Sequence, residues 1–274
     1  MSKILSFLIL LSLFSLKGFS QSDTTKAFQY YKRGVKEHVK HNYLDARKRF
    51  DTAIMINPNY GEAYYYRGLD KLYLEDFKGS IEDYSKAIEL TPGYSSAYDN
   101  RGYSKFLLGD NEGAIQDYDK AISLNPNVVK AYLNRGGAKT RLGQYREAVA
   151  DFEKALTLSP NNADIYFDLG VTKNVLEDYK GAIEAFDNVL KINPIYERAF
   201  LFRGTAKGLS GDHKGEMEDF NSCIALNPKN DLAYLTRGAR KYDDNDKAGA
   251  CADWTKAAQL GNQKATDLLK EKCQ

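Results

Sequence analysis

The chain carries 274 residues, with 39 Lys and Arg against 37 Asp and Glu and a formal net charge of +2. That balance, without any basic run, excludes the counterion-release binding on which nucleic-acid proteins depend, and it disfavours anionic membrane surfaces as partners. Three cysteines, Cys223, Cys251 and Cys273, match no zinc spacing, and their odd number fits one disulfide plus one buried thiol.

In chain order the first element is a processing segment. Lys3 is followed by an apolar run from Ile4 to Leu16, then by Lys17, Gly18, Phe19 and Ser20. This is the order of a secretory signal, and the run is short for a bilayer helix, which takes about 20 residues. The expected cut follows Ser20; Lys17 and Phe19 fit it poorly and leave a retained anchor as the alternative. Residues 1–20 hold two lysines and no acid, so the mature chain is neutral. It is expected to be exported, periplasmic or secreted, with no membrane insertion after cleavage. No cysteine near the cut offers a lipid anchor.

After a short lead at 21–26 the chain becomes periodic. Pro58, Pro92, Pro126, Pro160, Pro194 and Pro228 stand 34 residues apart. Gly34, Gly68, Gly102, Gly136, Gly170, Gly204 and Gly238 keep the same interval, as do Phe50, Tyr84, Tyr118, Phe152, Phe186, Phe220 and Trp254. A fixed period of this size marks a solenoid. Seven units follow, at 27–60, 61–94, 95–128, 129–162, 163–196, 197–230 and 231–264. Each reads as two amphipathic helices; in the fourth, Lys130 to Leu142 and Glu147 to Leu158 flank a turn at Gly143-Gln144. The residue before each proline avoids helical geometry and ends the second helix. Short connections make successive helices antiparallel neighbours. Beyond the seventh unit Asn262 replaces the proline; Gln263 to Cys273 reads as a helix, and 265–274, beyond the repeats, as a capping helix with a polar outer face.

The unit resembles the tetratricopeptide repeat, whose 34-residue pattern has an aromatic at position 4, small residues at 8 and 20, an aromatic at 24, Ala at 27 and Pro at 32. Position 4 is Tyr30, Tyr64, Tyr98, Tyr132, Tyr166, Phe200 and Tyr234; position 27 is Ala53, Ala87, Ala121, Ala155, Val189, Cys223 and Ala257. The resemblance spans 27–264 and implies an all-α fold, a right-handed α-solenoid of seven helix–turn–helix repeats plus the C-terminal cap. In that register Cys251 lies on the last second helix, beside which the cap carrying Cys273 packs. A Cys251–Cys273 disulfide is expected, with Cys223 reduced at a core position.

Two departures from the family's Leu at position 7 and Tyr at 11 carry information. Position 7 is Arg33, Arg67, Arg101, Arg135, Leu169, Arg203 and Arg237; position 11 is Glu37, Lys71, Lys105, Lys139, Lys173, Lys207 and Lys241. Position 23 answers with Arg49, Asp83, Asp117, Asp151, Ala185, Asp219 and Asp253. The aspartate disappears where the arginine does, and Arg49 accompanies Glu37. Co-variation among units argues for contact, so a partly buried charge network joining the two helices is expected, one that fixes register more than it adds stability.

No phosphate loop, nucleophile elbow, His-Glu-x-x-His or calcium loop occurs. His38 and His41 share a helix face but lack a third ligand, and His213 sits in a turn. An enzyme is not expected, and neither a cofactor nor a metal.

The resemblance places the partner groove on the first helices. Carried over, it holds Tyr31 and Val35; Tyr65, Tyr66, Leu69 and Tyr73; Asp99, Asn100, Tyr103 and Phe106; Leu133, Asn134 and Arg141; Phe167, Asp168 and Asn174; Leu201 and Phe202; Leu235 and Tyr242. Position 5 is read as lying outside the helix-pair core, which would make Tyr65 and Phe167 anchors, and Asn100 and Asn134 are read as partners for backbone amides. The carboxylate clamp of the family's chaperone-tail binders is absent. These residues point to a scaffold or adaptor that binds an extended peptide or helix of another protein. A carbohydrate or cell-wall-fragment binder using the tyrosines is the second reading, and an enzyme the third.

Overall fold

In each repeat a bulky ring at position 24 stands against a glycine at position 8, and that contact brings two helices together. A Cβ on Gly136 would lie 2.6 Å from the Phe152 ring, and one on Gly34 would lie 2.5 Å from the Phe50 ring. Glycine inside a helix costs about 0.5–1 kcal/mol; burial of the opposing ring outweighs it. All seven rings, Phe50 through Trp254, are at most 2% exposed.

A computed structural model describes residues 21–273; the signal segment lies outside the described residues. The described residues form fifteen helices and divide into two compact units, one ending at Pro126 and one beginning at Asn127. The first unit holds α1 (Gln21–Val39), α2 (Tyr43–Ile56), α3 (Gly61–Tyr73), α4 (Phe77–Leu90), α5 (Ser95–Leu107) and α6 (Asn111–Leu124). The second holds α7 (Val129–Arg141), α8 (Tyr145–Leu158), α9 (Ala163–Val175), α10 (Tyr179–Ile192), α11 (Glu197–Leu209), α12 (His213–Leu226), α13 (Asp231–Asp243), α14 (Lys247–Gln259) and α15 (Gln263–Lys272). Within each unit every first helix packs on its own second helix, and that second helix packs on the next first helix. The fold is an all-α solenoid of tetratricopeptide type. Residues 21–26 are not a separate lead: α1 already starts at Gln21.

The turn between paired helices has its own sequence logic. Asp76, Asp110, Asp178, Asp212 and Asp246 each accept a hydrogen bond from the backbone N–H of the glycine three residues on. Such a cap is worth about 1 kcal/mol. Glycine at that place leaves room for the carboxylate: a Cβ on Gly181 would sit 2.2 Å from Asp178 Oδ2.

Register comes from an arginine hub. Nε and Nη2 of Arg67, Arg101, Arg135, Arg203 and Arg237 donate to both oxygens of Asp83, Asp117, Asp151, Asp219 and Asp253 at 2.5–2.9 Å. Lys71, Lys105, Lys139, Lys207 and Lys241 reach the same carboxylates at 2.7–2.9 Å. The aspartate side chains are only 4–6% exposed. Burial opposes the charge on Asp253, but hydrogen bonds from Arg237 and Lys241 outweigh it and hold that carboxyl below its ordinary range. The third guanidinium nitrogen adds a link invisible in the pairwise sequence pattern. Nη1 of Arg67, Arg101, Arg203 and Arg237 donates to Asp51, Ser85, Asp187 and Asn221, on the second helix of the preceding repeat. One planar cation therefore ties three helices, a geometry lysine cannot supply.

Repeat 5 does without the hub. Leu169 and Ala185 are 5% and 4% exposed and pack as an apolar substitute, while Lys173 turns to Glu153 at 3.4 Å. In repeat 1 the expected reversed pair does not form. Glu37 binds Lys40 and Asn42 at 2.9 and 3.0 Å, and Arg49 stays exposed. Arg49 is open to water, and Glu37 is drawn to the partners within its own turn.

The cap, α15, spans Gln263–Lys272, as its sequence pattern predicts. Asn262 caps it by accepting from the Ala265 N–H at 3.0 Å. Ala265, Leu268 and Leu269 cover Leu235, Trp254 and Ala257. Cys273 at its end is bonded to Cys251 on α14, with the Cα atoms 5.9 Å apart. Cys223 is buried beside Glu197, and burial pushes its thiol up to about 12, so it is inert.

Two outcomes are expected. Asp151→Ala should cost about 3 kcal/mol by stranding Arg135, whereas Arg135→Leu with Asp151→Ala, which copies repeat 5, should recover most of that. Urea melts of the singles and the double check this, and a double no better than the sum of the singles refutes the coupling. For the disulfide, Cys251→Ser should loosen α15 by up to ~3 kcal/mol on the loop-entropy account. Non-reducing peptide mapping should recover a Cys251–Cys273 pair and an alkylatable Cys223 only after unfolding.

Candidate functional site

Aromatic side chains at helical spacing along the first helices either complete the core or remain part-open, and the two units differ in this. In the first unit the rings stay open. Tyr31 on α1, Tyr65 and Tyr66 on α3, and Tyr103 and Phe106 on α5 are all half-buried, as are Val35 and Leu69, while Tyr73 is 56% exposed. Tyr60 and Tyr94, from the loops that lead into α3 and α5, join them. Tyr31 lies 5.0 Å from Tyr60 and 5.7 Å from Tyr66, Tyr65 lies 5.4 Å from Tyr66 and 4.6 Å from Tyr94, centroid to centroid. Burial lifts the Tyr60 and Tyr65 phenols to about 12, with Glu62 adding to the effect at Tyr60 and Tyr66 at Tyr65. Tyr31 and Tyr94 are raised further for the same reason.

Asp99 and Asn100 do not present themselves to a partner. They are 5% and 7% exposed, and the Asn100 amide already donates to the Tyr65 hydroxyl at 3.0 Å. Consecutive repeats bring position 6 of one against position 5 of the previous one, which single-repeat reasoning does not reveal.

The histidines also have internal roles. His38 Nδ1 lies 2.6 Å from Asp70 Oδ1, with its ring among Tyr43, Tyr66 and Tyr73. Burial raises the Asp70 carboxyl above its ordinary range, and His38 works against that rise. His41 pairs with the Tyr43 hydroxyl at 2.7 Å. Among the described residues no three His, Cys, Asp or Glu side chains converge as a metal site.

In the second unit, position 5 closes into the core. Phe167, Leu201 and Leu235 are 4%, 5% and 8% exposed, which corrects the expectation that they line a groove. Phe167 packs 5.8 Å from Phe186, 5.3 Å from Tyr196 and 5.4 Å from Phe202, and so bridges repeats 5 and 6. What remains open there is Leu133, Asn134, Asn174, Phe202 and Tyr242, all half-buried, with Arg141 and Asp168 exposed. Desolvation by the side chains that flank it lifts the Asp168 carboxyl to about 6, with Asp164 adding to the rise and Arg198 opposing it. Arg198 makes no ion pair with it but lies 4.6 Å over the Phe167 ring. Two surface depressions, one beside Pro160, Tyr166 and Lys191 and one beside His41, Tyr43 and Leu74, involve none of these first-helix residues.

Comparison with known proteins agrees with this architecture. A family profile described as TPR repeat matches residues 102–143 and 136–173, and one described as tetratricopeptide repeat matches 163–196. The chain is a tetratricopeptide-repeat protein. Among solved structures, the C-terminal part of a TPR repeat-containing protein from Cytophaga hutchinsonii is similar with a TM-score of 0.73 at 18% identity, covering 86% of this chain and 98% of that one. Pseudomonas aeruginosa pilF gives 0.69 at 19% identity, over 81% of this chain and 100% of its own. YrrB, described as a TPR protein with an unusual peptide-binding site, gives 0.61 at 20% identity, over 67% and 95%. At these identities the likeness establishes the fold. No curated protein matches in sequence. No helix among the described residues is long and apolar enough to cross a membrane.

Asp168 supplies a test of the second unit's open face. A carboxyl raised on folding binds its proton more tightly in the native state, so stability falls as pH climbs from about 4 to about 6 and stays reduced above. Asp168→Asn should therefore raise the Tm at pH about 7.5 and leave it unchanged near pH 4. Equal shifts at both pH values would show that the carboxyl is not strained.

Proposed function

We propose that the chain is a non-enzymatic scaffold or adaptor in an exported compartment, periplasmic or secreted, and that its first-helix faces bind an extended peptide or helix of another protein. The observation that carries this is the row of half-open rings in the first unit, Tyr31, Tyr65, Tyr66 and Tyr103. Rigid side chains with an apolar body and a polar tip dominate protein interfaces, and contiguous exposed ones mark contact surfaces. That YrrB is described as having a peptide-binding site supports the reading at the level of the fold. The Cys251–Cys273 bridge supports an oxidising compartment, since such bonds are rare in the cytosol.

Selection of dodecapeptides displayed on phage against the chain from Gln21 onward tests this. Tyr73→Ala and Tyr103→Ala should each weaken a selected peptide by roughly 1–2 kcal/mol. Lys86→Ala and Lys120→Ala, on second helices, should not. If the lysine changes abolish binding and the tyrosine changes leave it intact, the binding surface is the opposite face.

A further inference from the structure

Tyr31, Tyr60, Tyr65, Tyr66 and Tyr94 form one connected group of rings, supplied by α1, α3 and the two inter-repeat loops of the first unit. Their mutual angles differ from those of a flat platform. Tyr31 and Tyr66 meet at 73°, and Tyr65 and Tyr66 at 86°, while Tyr60 and Tyr94 tilt at 44° to Tyr31 and 34° to Tyr65, so Tyr66 stands as a wall nearly upright to the rings on either side. A sugar stacks on one broad ring face; upright walls enclose a compact group instead.

The leading electrostatic influences on these phenols are acidic: Glu62, exposed at the start of α3, acts on Tyr31, Tyr60 and Tyr94, and Asp99 acts on Tyr65. The nearby lysine, Lys32, is one ring removed, lying 5.5 Å over Phe28, which itself stacks on Tyr31. Ring faces carry negative quadrupole charge, hydroxyl oxygens add lone pairs, and Glu62 adds a full charge. Rings and carboxylate together suit a cation whose charge is spread over a plane or a small ammonium.

We propose that this group of tyrosines is a cage for one positively charged side chain of the bound segment, arginine or lysine, with Glu62 as its counter-ion. The proposal rests on the reading of the first-helix face as a protein-binding surface and specifies its chemistry. Asn100 acts as a positioning residue, since its amide holds the Tyr65 hydroxyl in place.

The experiment uses the peptides selected on the chain from Gln21 onward, resynthesised with citrulline, the neutral isostere, at each arginine. Glu62→Gln keeps the exposed residue's shape and the fold, and Tyr31→Leu removes one wall. Selected peptides should share a basic residue at one position, and citrulline there should weaken binding to the wild-type chain about tenfold. The same exchange should cost less than about threefold against Glu62→Gln or Tyr31→Leu. Circular dichroism melts of both variants verify that they fold; if Tyr31→Leu does not, Glu62→Gln decides alone. Equal losses in the wild-type and variant chains overturn the cage. Tight peptides without a shared basic position also overturn it while leaving the scaffold reading intact. A selection that yields no peptide, most clearly if chitotetraose shifts the tyrosine ring signals in NMR, removes both.

Discussion

The ring at position 24 pressed against the glycine at position 8 is the contact on which the rest of the molecule depends. With the glycine Cα bare, two helices approach closely enough for Phe152 or Trp254 to fill the space completely. No single pair buries its remaining apolar stripe, so the next pair must cover it, and the period of 34 residues follows from that requirement. At the C-terminus the same requirement is met by α15, which carries a small apolar face and is tied down by a disulfide.

Apolar packing fixes proximity but tolerates sliding. The arginine hub removes that freedom, since a guanidinium bonded in plane to Asp83 and at its third nitrogen to Asp51 fits one arrangement of three helices. Its near-complete burial makes its net contribution to stability small, because desolvation offsets most of the attraction. Repeat 5 illustrates this: Leu169 and Ala185 are buried there without charge and the helix pair persists. Specification of register is the better account of why five repeats keep the ions.

The same packing rules divide the first-helix faces into closed and open parts. Phe167 closes because Tyr196 and Phe202 lie on it, whereas Tyr103 keeps a half-open ring. The surroundings of Asp168 lift its carboxyl to about 6, and Glu62 is the carboxylate that acts on the tyrosines around Tyr31. Local arrangements that cost the isolated chain something are where a second molecule gains most.

Sequence alone determined the period, the helix pairs and the residue types that meet across each pair, because these depend on neighbours within one repeat and every repeat restates them. Asp83 opposite Arg67 and Lys71 was legible from co-variation between units, and so was the apolar substitute at Leu169 and Ala185. The tertiary structure alone decided what happens between repeats. The bond from Arg67 to Asp51, the Asn100 amide spent on Tyr65, and the burial of Phe167, Leu201 and Leu235 all depend on the size and direction of side chains on a neighbouring repeat. A 34-residue pattern records which residue recurs, but whether that residue is covered depends on whatever the next repeat places over it.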